Sequence, residues 1–148
     1  MAAAPHARTT PSPWIVRFAP LVPPGARVLD LAAGHGRHAR YFADRGAEVL
    51  ALDADADALA AVAGHPGITT RIADLEAGPW PLPGERFDAI VVVNYLHRPL
   101  FTALRAALAA DGALLYETFA LGNEVYGRPA NPDFLLSPGE LLSLAALP

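Results

Sequence analysis

Apolar positions fall into five short runs along the chain, each followed by polar or glycine-rich residues. The runs cover residues 27–32, 48–52, 68–73, 87–93 and 113–119. They are rich in Val, Ile and Leu, a composition typical of strands that are buried on both faces. The run FDAIVVV at residues 87–93 is the clearest of them. The pattern therefore predicts five buried strands.

Helical patterns separate these strands. Asp55 is placed to cap one helix, Pro99 suits the first turn of another, and Ser137 and Glu140 have capping-box spacing before the last. Regular alternation of strand and helix indicates a parallel sheet with helices on both faces, an α/β fold. The predicted helices cover residues 14–18, 37–45, 57–62, 99–110 and 141–147.

Composition sets limits on the class of protein. The chain has 148 residues, of which 53% are hydrophobic and 18% charged, so we expect a single folded domain over residues 1–148. The small, proline-punctuated residues 1–13 are expected to be flexible. No apolar run approaches the ~20 residues of a membrane span, so we expect a cytoplasmic protein without a membrane partner.

Two further classes of site are disfavoured. The chain has no cysteine, which excludes disulfides and thiolate metal sites, and we predict no metal. The net charge of −4 and the scattered arginines argue against a nucleic-acid partner, because phosphate neutralisation needs a basic face. The oligomeric state is not readable from the sequence.

Candidate ligand-binding residues stand at the ends of the predicted strands. Ligands of parallel α/β sheets bind outside the carboxyl ends of the strands, at the point where the strand order reverses. The residues that close the strands are therefore the first candidates for a site. They are the segment 30–36, Asp53, Asp74, Asn94 and Glu117.

A glycine-rich turn follows the first strand. Gly34, Gly36 and Ala39 satisfy the spacing G-x-G-x-x-G/A, and the acid Asp53 lies nineteen residues after Gly34. A strand, glycine turn, helix, strand and acid in this order indicate an adenosine-type ligand. The alternative is a tight strand–helix turn that Asp53 merely caps.

Asp30 helps to choose between two such ligands. A dinucleotide places its pyrophosphate at the helix N-terminus, where Asp30 would repel it. S-adenosylmethionine carries a sulfonium and an ammonium but no phosphate, and Asp30 can attract the ammonium directly or through water. The carboxylate therefore favours S-adenosylmethionine as the cofactor.

The segment VLDLAAGHGR at residues 28–37 resembles the first motif of class I S-adenosylmethionine-dependent methyltransferases. Residues 72–76, 87–97 and 111–119 are similar to later motifs of that family. The resemblance implies a Rossmann-like doubly wound sheet with strand order 3-2-1-4-5. It also implies a cofactor site formed by Asp30, Ala33, Gly34, Gly36, Asp53, Ala54, Asp74, Leu75 and Asn94.

Individual roles also come from this resemblance. It assigns the methionine ammonium to Asp30, both ribose hydroxyls to Asp53 and the adenine amino group to Asp74. The backbone amide of Leu75 lies near the adenine in such sites, and Asn94 and Tyr95 face the ligand.

The sequence departs from the family at two points. Ala32 stands where the family often has a third glycine. The family's sheet usually ends with two further strands, one of them antiparallel, and no segment remains to form them. We therefore expect a C-terminally truncated domain with an exposed edge at the fifth strand. The segment 116–142 is similar to a bacterial subgroup of the tellurite-resistance type.

No catalytic residue is assigned, but three candidates lie near the expected acceptor position. His97 follows the fourth strand beside Tyr95 and suits a general base at neutral pH, although packing or capping would also explain it. Glu117 either faces the same crevice or pairs with an arginine such as Arg128.

Two other features have weaker implications. The histidines His35 and His38 flank the glycine turn and are expected at the surface or at a helix end. The loop at residues 121–136 is expected to cover the acceptor, with polar contacts from Asn123, Tyr126, Arg128 and Asn131.

The sequence thus predicts a methyltransferase that acts on a small-molecule acceptor. Two alternatives remain open. An NAD(P)-binding oxidoreductase domain would use Gly34, Gly36 and Asp53 but leaves Asp30 and Asp74 unexplained. A non-catalytic binding module would keep the fold without turnover.

Overall fold

The computed structural model describes residues 9–146 and contains a five-stranded parallel sheet. Its strand order is β3-β2-β1-β4-β5, so the predicted α/β class, Rossmann-like topology and order are confirmed. The order reverses between β1 and β4, which is where such sheets bind ligands. The strands are β1 Arg27–Leu31, β2 Glu48–Asp53, β3 Ile68–Ile72, β4 Phe87–Val93 and β5 Leu108–Glu117.

In the part of the chain that the structure describes, five short α-helices flank the sheet. Two single turns of 3₁₀-helix, Ala19–Leu21 and Arg98–Leu100, adjoin two of them. Two more such turns, Asn123–Val125 and Pro132–Phe134, lie in the loop after β5. Within residues 9–146 no helix has the length and apolar character that a membrane crossing requires. The α-helices are α1 Pro13–Phe18, α2 Arg37–Asp44, α3 Ala56–Leu59, α4 Phe101–Ala107 and α5 Glu140–Ala145.

The sheet separates two apolar clusters, because successive strand side chains point to opposite faces. In β1, Val28 packs with Ile15 of α1 and Phe42 of α2, whereas Leu29 packs on the other side with Phe101 of α4. Both β1 side chains are fully buried. The unbroken apolar runs of the central strands follow from this burial on both faces.

The boundary between α4 and β5 differs from the prediction. The helix ends at Ala107 and the strand begins at Leu108, which pairs with Phe87 of β4. Asp111, with φ +61°, and Gly112 lie within β5, where the register against β4 shifts. Pairing with β4 satisfies the backbone groups that a longer helix would have used, so it overrides the helix propensity of the alanines.

Ser12, near the end of the segment expected to be flexible, is buried and hydrogen-bonded. Ser12 is only 4% exposed. Its backbone N–H donates to His38 Nε2 at 3.0 Å, its hydroxyl donates to Glu117 Oε2, and its oxygen caps α1 by accepting from the Trp14 N–H at 3.2 Å. Residues 1–8 of the predicted flexible segment lie outside the described residues.

The outer edge of β5 has no partner strand within residues 9–146. An apolar groove of about 480 Å³ lies beside this strand, between α1 and α5. Trp14, Leu21 and Leu142 line it and are 46%, 62% and 82% exposed. The exposed edge expected from the sequence is thus present in the described residues, and the truncation of the domain stays a prediction.

Gly36 fixes the start of α2 against the segment that follows α3. It caps the helix with φ +76°, and a Cβ at this position would lie 2.6 Å from Val62 Cγ1. Gly34 also has positive φ, +57°, but a Cβ there would meet no atom within 4 Å. The two glycines share a left-handed backbone and differ in the space around them.

This difference gives a stability prediction. We expect Gly34→Ala to lose roughly 1–2 kcal/mol of unfolding free energy, because alanine is strained in a left-handed conformation. Gly36→Ala should lose a further ~1–3 kcal/mol through overlap with Val62. Chemical denaturation of both variants measures the difference in unfolding free energy. Adding Val62→Ala to Gly36→Ala should restore part of the extra loss. Equal losses in the two variants would contradict this packing.

Candidate functional site

The glycine turn between β1 and α2 lies at the carboxyl edge of the sheet and is held by Asp53 at the end of β2. The Gly34 N–H donates to Asp53 Oδ2 and the Asp55 N–H donates to Asp53 Oδ1, each at 2.8 Å. A carboxylate oxygen has more than one acceptor site. Asp53 therefore orders the turn and can still accept bonds from a ligand hydroxyl.

Every second residue of the turn has a left-handed backbone conformation. Ala32 has φ +55°, Gly34 +57° and Gly36 +76°. Backbone bonds from the Ala33 N–H to Leu52 O and from the Gly36 N–H to Ala33 O, both 2.9 Å, close the turn. Ala32 thus adopts a glycine-like conformation at the position where a glycine was expected.

Asp30 is buried directly before the turn and is 3% exposed. The Ala39 N–H of α2 donates to its carboxyl group, whereas Oδ2 has no hydrogen-bond partner in the described part of the chain. Burial raises the pKa of Asp30 to about 7; the charge of Asp53 adds to this, and the Ala39 bond and Arg37 oppose it. The carboxyl is therefore enclosed by protein in this conformation.

The ends of the outer strands complete this edge. The Ala73 N–H donates to Asp53 O at 3.0 Å, which joins the end of β3 to β2. The exposed Asp74 follows and accepts from the Glu76 N–H at 2.9 Å, while Leu75 packs against the core. On the other side, exposed Asn94 has φ +59°, and its N–H donates to Glu117 O at 2.8 Å.

Tyr95 lies among the carboxylates of this edge. Burial raises its pKa, and so do the nearby charge and hydrogen bond of Glu76 and the charges of Asp74 and Asp53. His97 is also close, with Nδ1 3.6 Å from Glu76 Oε1. The structure therefore brings Tyr95 and His97 together around Glu76. Sequence reasoning missed Glu76, although its place two residues after Asp74 was a usable signal.

Glu117 and His38 are joined through Ser12. The partner of Glu117 is the Ser12 hydroxyl rather than an arginine. His38 is the second residue of α2, so it lies at a helix end, one of its two expected places. It is 4% exposed, and its Nε2 accepts the Ser12 N–H. Burial and, to a lesser degree, Arg37 lower its pKa to about 4, so its ring is neutral at pH 7. The other histidine of this turn, His35, is exposed as expected.

The loop after β5 uses its polar side chains largely for itself. Asn123 Nδ2 donates to Pro129 O at 2.9 Å, Asn131 Oδ1 accepts from the Asp133 N–H at 2.9 Å, and Tyr126 is 89% exposed. Most of the loop residues that face a cavity beside Asn94 are instead apolar. They are Phe119, Pro129 and Phe134, and Thr118 adds a hydroxyl-bearing side chain.

Arg98 fastens this loop and was not singled out from the sequence. Its guanidinium donates to Asp133 O at 2.8 Å, to Leu135 O at 2.9 Å and to both Glu140 oxygens at 2.6 and 3.0 Å. This Arg98 bond and the Ser137 N–H lower the pKa of Glu140 to about 2. One arginine thereby joins the start of α4, the loop and α5.

The residues at the carboxyl edge fit a cationic adenosine compound. Asp30 has an unpartnered buried oxygen, Gly34 faces open space and Asp53 retains acceptor capacity. A cation near Asp30 would favour the ionised carboxylate that burial disfavours. Within residues 9–146 no group of three or more His, Asp or Glu side chains has the arrangement of a metal site.

Comparison with known proteins supports the same cofactor class. Residues 28–112 match a family model described as a methyltransferase domain. A search of curated proteins gave no match.

Several solved structures are similar. An S-adenosylmethionine dependent methyltransferase from Mesorhizobium loti is 25% identical with a TM-score of 0.70, covering 88% of this chain and 77% of that chain. A TehB-like SAM-dependent methyltransferase from Corynebacterium glutamicum is 24% identical with a TM-score of 0.67. The match covers 90% of this chain and 70% of that chain. The glycopeptide N-methyltransferase MtfA complexed with S-adenosyl-L-methionine is 26% identical with a TM-score of 0.59. The match covers 87% of this chain and 64% of that chain.

The likeness to the TehB-like protein concerns the fold, so the tellurite-resistance-like subgroup stays a prediction. The family match is broader, because it spans β1 to the start of β5 and includes the glycine turn, Asp53 and Asp74. The sheet order is the one that this family resemblance implies. On this evidence the chain belongs to the class I S-adenosylmethionine-dependent methyltransferases.

Proposed function

We propose that this chain transfers the methyl group of S-adenosylmethionine to a small-molecule acceptor. The observation that carries the proposal is the buried Asp30 carboxyl, with its unpartnered oxygen, beneath a glycine turn that Asp53 holds. Two carboxylates at this position favour a cationic ligand and oppose a pyrophosphate. The cytoplasmic location expected from the sequence belongs to the same proposal.

Each residue has a separate part in holding the cofactor. Asp30 attracts the methionine ammonium through water, Asp53 accepts the ribose hydroxyls, and Asp74 accepts the adenine amino group. Asn94, exposed at the end of β4, lies where the cofactor and acceptor meet. Backbone atoms provide the remaining contacts, from Ala33, Gly34, Gly36, Ala54 and Leu75.

The chemistry of methyl transfer makes modest demands on the protein. When bound, the cofactor supplies a methyl group already activated on a sulfonium. The side chains of this chain then have to orient the acceptor and exclude water. A cavity of about 250 Å³ beside Asn94 supports a small acceptor, because it is below the roughly 300–1,000 Å³ of pockets for drug-sized ligands.

The first prediction concerns the identity of the cofactor. We expect S-adenosylhomocysteine to bind more than tenfold tighter than NADH, a difference above ~1.4 kcal/mol, because NADH brings a pyrophosphate to Asp30. Isothermal titration calorimetry of both ligands measures this. Equal binding, or preference for NADH, would instead support a dinucleotide-binding domain.

Asp53 provides a matched test of the site. Asp53→Asn should weaken S-adenosylhomocysteine by about 1.5–3 kcal/mol, since it removes the charge from the hydrogen bonds to the ribose. Asp57→Asn makes the same change of charge at an exposed position in α3 and should leave the affinity unchanged. An unaltered affinity in Asp53→Asn would remove Asp53 from the site.

A prediction of pH dependence follows from the raised pKa of Asp30. If the ligand ammonium favours the ionised form, the carboxyl must release a proton on binding below pH 7. The dissociation constant of S-adenosylhomocysteine should then rise towards tenfold per pH unit as the pH falls from about 7 to 5. Asp30→Asn should bind more weakly at about pH 8, with little pH dependence.

Asp30 should make the unfolding free energy fall as the pH rises, which is the opposite of its effect on ligand affinity. The folded pKa of Asp30 lies above its ordinary value of 3.8, so its stabilising contribution is full below about pH 4 and is lost as the pH rises through 7. Asp30→Asn should therefore gain stability relative to the natural chain as the pH rises from about 5 to 8, by ~3 kcal/mol, because this range crosses about two pH units below the folded pKa. The opposite contribution of His38 is common to both chains and cancels. A difference that does not vary with pH would contradict the raised pKa.

A further inference from the structure

The cavity beside Asn94 lies between the end of β4 and the loop after β5. We propose that it takes a small amine with an apolar body, which Glu76 recognises by its charge and whose nitrogen receives the methyl group. This inference rests on the proposed function and specifies the acceptor for the same site.

The walls of the cavity suit an apolar, preferably aromatic, body. Tyr95, Phe119 and Phe134 contribute aromatic rings, and Pro129 contributes a further apolar surface. Phe134 remains 47% exposed, so part of this surface is open to solvent without a ligand. Aromatic faces also attract cations, which adds to the preference for an ammonium group.

The charge in the wall of the cavity is negative. Among the described residues that line it, Glu76 is the charged one. The Asp74 and Asp53 carboxylates act with Glu76 on the Tyr95 hydroxyl, so the negative field extends to the cofactor side. Arg98, the arginine that fastens the loop, is engaged by Glu140 and two backbone carbonyls. An anionic acceptor would be repelled here, whereas an ammonium would be attracted.

Glu76 is also placed to remove the proton that an amine must lose before it reacts. Its Oε1 lies 3.6 Å from His97 Nδ1, and the His97 side chain is 27% exposed. The ammonium gives a proton to Glu76, which passes it through the His97 ring to water. The free amine lone pair then forms the N–C bond to the methyl group. The S–C bond breaks with its electron pair on sulfur, leaving S-adenosylhomocysteine and a methylated ammonium.

Three probes that share a phenyl group and differ in their polar end separate the effect of charge from that of shape. We would titrate 2-phenylethylamine, 2-phenylethanol and 3-phenylpropionate into the protein saturated with S-adenosylhomocysteine and measure their dissociation constants by ligand-observed NMR. The amine should bind at least tenfold tighter than the carboxylate, with the alcohol between them.

Variants assign the preference to Glu76. Glu76→Gln should weaken the amine about tenfold and leave the alcohol unchanged. Glu48→Gln removes the same charge at the first residue of β2, at the amino end of the strand. It should change the affinity for neither the amine nor the alcohol. Because Glu76 is 54% exposed, we expect both variants to keep the melting temperature and the affinity for S-adenosylhomocysteine.

The outcomes distinguish this inference from the proposed function. Binding of S-adenosylhomocysteine without preference for the amine overturns the inference alone, as does an amine that fails to bind at millimolar concentration. An equal loss for amine and alcohol in Glu76→Gln overturns the role of charge. Failure of the natural chain to bind S-adenosylhomocysteine overturns the proposed function and this inference together.

Discussion

The burial of one carboxyl group, that of Asp30, constrains the whole site. β1 lies between β2 and β4, so a side chain at its carboxyl end cannot reach bulk water. The Ala39 N–H satisfies part of the group and leaves Oδ2 without a partner. A buried carboxyl with an unpartnered oxygen destabilises the free protein. It becomes favourable once a cation lies nearby. Stability and ligand preference are therefore coupled through the same atoms.

The rest of the edge is arranged around this position. Asp53 orders the glycine turn through the Gly34 N–H, and Gly36 lets α2 begin against Val62. On the far side of the switch point, the loop after β5 is fastened by Arg98 and supplies apolar walls. The two halves differ in chemistry, with backbone amides and carboxylates on the β1–β3 side and aromatic rings on the β4–β5 side.

Much of this arrangement was predictable, because it depends on local pattern. The apolar runs gave the strands, and the spacing from Gly34 to Asp53 gave the turn and its acid. Contacts between distant segments were not predictable in this way. Ser12 and Glu117 are 105 residues apart, and nothing in either neighbourhood signals their hydrogen bond. The burial of His38 and the fastening of the loop by Arg98 likewise depend on how separate elements pack. The early start of β5 shows pairing with β4 prevailing over local propensity.

The most direct test of the electrostatic account is a crystal structure of the chain with S-adenosylhomocysteine. The account predicts the ribose hydroxyls on Asp53, the adenine amino group near Asp74, and the ligand ammonium linked to Asp30 through an ordered water. A ligand whose ammonium points away from Asp30, or a ribose that does not contact Asp53, would contradict it.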